Sequence, residues 1–308
     1  MVSFLLRNVN FVKAKSLYKS ESFNIRRVNT KTSSLDYCLN LVNKCDYENF
    51  LCTLLLPNHL ISAGIALRAF NVEIAKVQDH VSENVIGLMR FQFWDDTIDK
   101  MFAGKIPEHP VCIELSKVIG NSNLSKLYLK RLIDARRNQL SSFRFSSMKK
   151  VEEYADLANS PIYLLLLELA DIKKVDADHA ASHLGRAQGI ANLLRSTMYN
   201  SQKNIVSIPE DMLVKYKVSE EDILRNKMDT NIKDMFFDIA TEAHLHIESV
   251  EKIQKDLDKA CRRILLPSVA VKSYLKRLES VDFNVYHPKL QRKNELLSLR
   301  LYWRKLFL

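Results

Sequence analysis

Three carboxylates crowd the segment Asp95-Asp96-Thr97-Ile98-Asp99. Asp95 and Asp99 are four residues apart, so a helix turns both side chains the same way. Hard anionic oxygens at that spacing suit magnesium. The same residues also read as the wet side of an amphipathic helix, Phe91 to Phe102, that buries Phe91, Trp94, Ile98 and Met101. A second constellation contains no acid. Within the stretch from Gly185 to Asn200, Gly185, Gln188, Asn192, Ser196 and Tyr199 fall on one helix face, between Leu184, Leu194 and Met198. Amides and hydroxyls are costly to bury without partners, so this stripe reads as the wall of an internal pocket. His179 and His183 have a spacing that zinc can use on a helix. No His-Glu-x-x-His motif or third ligand accompanies them, and a surface or half-buried pair is the preferred reading. His244 and His246 are two apart and do not face each other on a helix. No Gly-x-Ser-x-Gly elbow supports a hydrolase, and no glycine-rich loop is present to cradle a phosphate.

The elements that must position these residues are helices. The chain has 308 residues, 47% of them hydrophobic, yet only 6 glycines and 7 prolines, which argues for long helices and few tight turns. No apolar run is long enough to span a membrane. Asp36 to Leu56 reads as a first helix, with Tyr37, Leu41, Val42, Cys45 and Phe50 toward the core and Pro57 as its stop. A second runs from His59 to His80, with Leu67, Phe70, Ile74 and Val77 at core spacing. Ser82 can cap a third, which carries Ile86, Met89 and Phe93 toward Phe102. Further helices are expected near 111–119, 125–140, 150–169 and 177–200, the last capped by Asp176. Ser219 and Asp222 spell a capping box. Asp229 to Leu265 reads as one long amphipathic helix with Met235, Ile239, Ala243, Ile247 and Val250 inward, and Pro267 starts a last core helix.

The net charge of +10 is uneven: residues 1–35 hold seven basic residues against Glu21 alone. Basic, acid-poor and sprinkled with Ser and Thr, this leader is expected to be a mitochondrial targeting presequence. Little basic excess then remains for nucleic acid, and no aromatic-basic RNA-binding motif appears. Cys38, Cys45, Cys52, Cys112 and Cys261 are odd in number and form no Cys-x-x-Cys, so neither a disulfide framework nor a zinc ribbon is expected. The first three are seven apart and read as buried residues of one helix face.

The stripe around Asn192 resembles the second signature of squalene and phytoene synthases, Gln-x-x-Asn-x-x-Arg-Asp-x-x-Glu-Asp. Asn192 and Arg195 match, Gln188 is offset by one place, and the three acids of that signature fall on Ser196, Tyr199 and Asn200. Ala66 to Asp79 is similar to the first signature, with its acids at Ala75, Lys76 and Asp79. Phe93-Trp94, Gly104, His109-Pro110-Val111 and Ile208-Pro209-Glu210-Asp211 continue the resemblance over roughly residues 36 to 280. It implies an all-α, single-domain isoprenoid-synthase-like bundle over 36–280, followed by a basic, aromatic tail, 281–308. It also places Asp95–Asp99 past the first signature, which favours the solvated reading of those acids.

In that family the acids hold magnesium over a diphosphate. Serine, tyrosine, asparagine and lysine cannot replace them, so no catalytic residue, metal or cofactor is expected. Phe70, Ile74, Gln188, Asn192, Arg195 and Ser196 are read as a vestigial pocket. Leu67 to Glu73 and Gly87 to Trp94 resemble the branch of the family that assists assembly of mitochondrial complex I. That branch implies a non-catalytic protein held peripherally at the matrix side of the inner membrane, with complex I subunits or an early membrane-arm intermediate as partner. An active head-to-head prenyl synthase using Asp95–Asp99 and a lipid-binding module with its ligand in the pocket stay open, as does contact of the tail with anionic lipid.

Overall fold

A computed structural model describes residues 33–80, 83–140 and 144–307, and no strand occurs among them. The expected presequence up to residue 32 and the expected cap Ser82 lie outside the described residues. Among the described residues fifteen α-helices follow one another: α1 (Ser34–Cys45), α2 (Tyr47–Thr53), α3 (Asn58–Lys76), α4 (Asn84–Phe102), α5 (Pro110–Asn121), α6 (Lys126–Leu140), α7 (Met148–Leu169), α8 (Val175–Gln202), α9 (Glu210–Tyr216), α10 (Glu220–Leu224), α11 (Thr230–Ile253), α12 (Lys259–Ile264), α13 (Pro267–Glu279), α14 (Pro288–Gln291) and α15 (Leu297–Leu306). The described residues form one unit, an all-α bundle.

Local chemistry sets many of the boundaries. Ser33, Ser147, Asp229 and Asp258 each accept a backbone N–H of the first turn that follows, and Ser219 with Asp222 forms the expected capping box. Asp176 does not cap α8; that helix starts at Val175, and Asp176 lies in its acidic first turn, where the helix dipole favours it. Two helices expected to be continuous are broken. At Asp46 the backbone leaves the helix (φ −140°, ψ 54°), and its carboxylate accepts the Asn49 amide at 2.8 Å and faces Arg68. Near 254–258 a 3₁₀ turn, the extended Leu257 and the Asp258 cap separate α11 from α12. The cysteines' expected common face is lost for the first reason: Cys38 and Cys52 are buried as expected, but on different helices, and Cys45 is exposed.

The core follows the helical spacing. Leu67, Phe70, Ile74 and Val77 are buried, as are Met235, Ile239, Ala243, Ile247 and Val250. Helix α3 buries residues around most of its circumference, the pattern of a helix inside a bundle. The 28-residue α8 packs along α7 and α11. It approaches α7 too closely for a side chain: a Cβ on Gly185 would lie 2.0 Å from the Ser160 Oγ and 2.6 Å from its backbone nitrogen. One on Gly189 would lie 2.2 Å from the Ala155 Cβ. Part of the small-residue stripe is thus a helix–helix contact rather than pocket wall. Phe91, Trp94, Ile98 and Met101 are buried, whereas Ile86, Met89 and Phe93 are exposed. The last helix closes on the body through Leu297 and Leu301, buried with Cys52, Leu266 and Ala270.

Candidate functional site

The C-terminal half of α8 faces the end of α3 and the 3₁₀ turn Gln78–His80 across an open cleft. Two adjoining hollows of about 1020 and 550 Å³ share Gln78, Asp79, Asn192, Ser196 and Tyr199. The two segments that resemble the signatures therefore meet at one place. Gln188, Asn192, Arg195 and Ser196 line the cleft, whereas Phe70 and Ile74 are fully buried in the core and do not.

Most of the charged groups on the floor and walls are tied to protein partners. Tyr163 donates its hydroxyl to the Gln188 side-chain oxygen, and burial raises that phenol to about 12, so it stays a neutral donor. Arg195 bonds Glu48 at 2.6 Å and stacks over the Tyr274 ring at 4.3 Å. Arg68, almost wholly buried, faces Asp46 at 3.6 Å and lies 5.5 Å from the Tyr163 ring. Buried Arg136 donates to Asn71 at 2.8 Å and to the carbonyls of Leu132 and Ala158, and burial holds its pKa below the usual value. Asp79 accepts the Tyr199 hydroxyl at 3.1 Å and the Lys203 ammonium at 3.4 Å. Asn192 is exposed to the cleft and has no hydrogen-bond partner among the described residues.

The donor set does not fit a magnesium clamp. The lining contains three carboxylates, Asp46, Glu48 and Asp79, and each is bound to a cation. Across from Asp79 stand a phenol and an ammonium, and an ammonium repels a divalent ion. The lining also contains eight Lys and Arg side chains, so the cleft can offer direct N–H donors to an anion instead.

Asp95, Asp96 and Asp99 do not line the cleft. Lys130 bridges Asp95 at 3.3 Å and Asp99 at 2.9 Å, Lys126 reaches Asp99 at 2.6 Å, and Asp96 accepts the Gln92 amide at 2.8 Å. Hydrogen bonds from Lys126 and Lys130 hold the Asp99 carboxyl below its usual pKa. Asp95 and Asp99 thus face a lysine pair on α6. Among the described residues no group of three His, Cys, Asp or Glu side chains has a metal-holding arrangement.

Sequence reasoning missed the residues that answer the stripe. Glu48 had no signal of its own. Tyr163 did, because a lone hydroxyl inside the apolar run Ile162 to Leu167 must find a partner when buried. The histidine spacing pointed the wrong way: His183 meets His246 of α11, with their Nδ1 atoms 2.9 Å apart.

Fold and cleft together define the class: this chain belongs to the squalene/phytoene synthase family, whose pattern matches residues 42–306. Two solved structures share the fold: a dehydrosqualene synthase (18% identity, TM-score 0.76, covering 89% of this chain and 95% of that one) and a squalene synthase from Alicyclobacillus acidocaldarius (17%, 0.71, 82% and 95%). Within the family the chain is 44% identical over 272 residues to a Bos taurus protein named NADH dehydrogenase (ubiquinone) complex I, assembly factor 6, covering 87% of this chain and 82% of that one. Its Drosophila melanogaster homologue is 41% identical, covering 88% and 83%. Similarity to a rice phytoene synthase is weaker, at 24% identity over 67% of this chain and 54% of that one.

Proposed function

We propose that this chain is a non-catalytic assembly factor for mitochondrial respiratory complex I. The observation that carries the reading is the pairing of every cleft carboxylate with a cation, which leaves no acidic pair to hold magnesium over a diphosphate. The magnesium-binding positions of the two signatures are degenerate, and the fold serves as a scaffold for protein contacts. Residues 1–35 act as the presequence that brings the chain to the mitochondrial matrix. There it works at the face of the inner membrane on an early membrane-arm intermediate. The names of its relatives support this reading, as does the lack, among the described residues, of a helix long and apolar enough to cross a membrane.

The cleft, with Gln188, Asn192, Arg195 and Ser196 in its wall, keeps room for a lipid. Its excess of cations over carboxylates favours an anionic headgroup held without metal. Deleting the gene tests the reading. Loss of assembled complex I with the other respiratory complexes intact is the expected result. Loss of a quinone or sterol, with complex I assembled, would establish synthesis instead. Purified protein incubated with magnesium and an isoprenyl diphosphate is expected to give no condensed product.

A further inference from the structure

Helix α15 has two apolar faces. Leu297 and Leu301 hold it to the body, and the opposite face carries Leu296, Leu299, Trp303, Leu306 and Phe307, all exposed. Their steps of three and four residues put these five side chains on one strip, and the Trp303 and Phe307 rings touch with centroids 5.0 Å apart. The strip has a cationic border. The hollows beside it are lined by Lys255, Arg262, Lys276 and Arg304, together with Glu251, which Lys272 holds at 2.6 Å. Lys259, Arg262, Arg263, Arg304 and Lys305 have no carboxylate partner among the described residues. Burial and the nearby charges of Arg263 and Lys259 hold the Lys305 ammonium below its usual pKa. So much like charge beside exposed Trp, Phe and Leu calls for an extended anionic surface with an apolar layer beneath it.

We propose that α15 and the basic residues around it form a docking face for an anionic phospholipid bilayer. Trp303, Leu306 and Phe307 enter the headgroup–acyl boundary, and Arg263, Arg304 and Lys305 engage lipid phosphates. The helix lies in the interface and does not cross it. This deepens the proposed function, resting on its placement of the chain against a membrane, and names the surface and the lipid charge that the placement needs.

The chain carries its own reporter. Of its two tryptophans, Trp94 is 6% exposed and Trp303 62% exposed, so a change in emission on lipid binding reports α15. The full chain is mixed with phosphatidylcholine vesicles, with or without about one-fifth cardiolipin. It is expected to float with the anionic vesicles only, with a blue shift, quenching by brominated acyl chains, and release by added salt. Paired Arg304→Glu and Lys305→Glu, or paired Trp303→Ser and Phe307→Ser, are expected to weaken flotation at least about tenfold while leaving the melting temperature unchanged. Wild-type protein that stays in solution with anionic vesicles would overturn the proposal. So would undiminished flotation of both folded variants, or a protein partner captured by this face while lipid is ignored. Flotation reads lipid contact without respiratory assembly, and the deletion experiment reads assembly without lipid. Failure of one is therefore distinguishable from failure of the other.

Discussion

The cleft beside α8 and the outer face of α15 treat charge in opposite ways. In the cleft Asp46, Glu48 and Asp79 are answered by Arg68, Arg195 and Lys203, so its acids are neutralised from within. Around α15 five cations have no carboxylate partner among the described residues. A carboxylate already paired with a cation has less to offer a divalent ion, and Asp46, Glu48 and Asp79 act as structural partners. Leaving cations unpaired on a surface carries a repulsive cost that salt or an anionic partner relieves. The inside of this protein reads as settled and its outer end as waiting for a counterpart.

The contrast can be broken most forcefully at the α7–α8 contact. Gly185→Ala drives a methyl into the Ser160 backbone and forces the cleft wall away from α7, at a cost of about 3 kcal/mol in urea unfolding. A cost near zero would mean that the two helices are not held this close. Next comes the pair in the cleft. Arg195→Met leaves Glu48 unpaired and removes the stack on Tyr274, but both side chains are partly exposed, so the loss is about 1 kcal/mol. Double-mutant cycles with Glu48→Gln measure the coupling.

A smaller effect sits on the far side of α8. Burial holds His183 and His246 below the usual 6.5, and Glu152, Asp156, His179 and Arg186 are the charged and titratable neighbours. The folded state therefore takes up protons later than the unfolded chain. Stability is full above pH 6.5 and falls as the pH drops from there through the depressed values. His183→Gln with His246→Gln is expected to flatten that slope, read as melting temperature against pH. The smallest effect belongs to the outer end. Lys305→Gln relieves repulsion from Arg263 and Lys259, so the melting temperature is expected to stay level or rise slightly.

Elements that repeat a core residue every three or four positions were legible in the sequence. α3 buries Leu67, Phe70, Ile74 and Val77, and α11 buries Met235 through Val250, because burial itself writes that period. The meeting of the two signature segments at one cleft was legible only through the family resemblance. What escaped depends on distant partners. The break at Asp46 is fixed with Arg68, 22 residues away, and Arg195 finds Glu48 147 residues back. His246 was set aside because its local neighbour His244 points elsewhere, while its partner is on another helix. Ile86, Met89 and Phe93 have core spacing yet face outward, since periodicity marks an apolar face without saying what covers it.

The central claim is that function here does not pass through a magnesium–carboxylate clamp. It is tested most directly by rescuing cells that lack the gene with a chain carrying Asp79→Asn, Asp95→Asn, Asp96→Asn and Asp99→Asn together, and measuring assembled complex I. Rescue equal to the wild-type chain is the expected result. A variant that is folded and imported to the normal level yet restores no complex I would contradict the account.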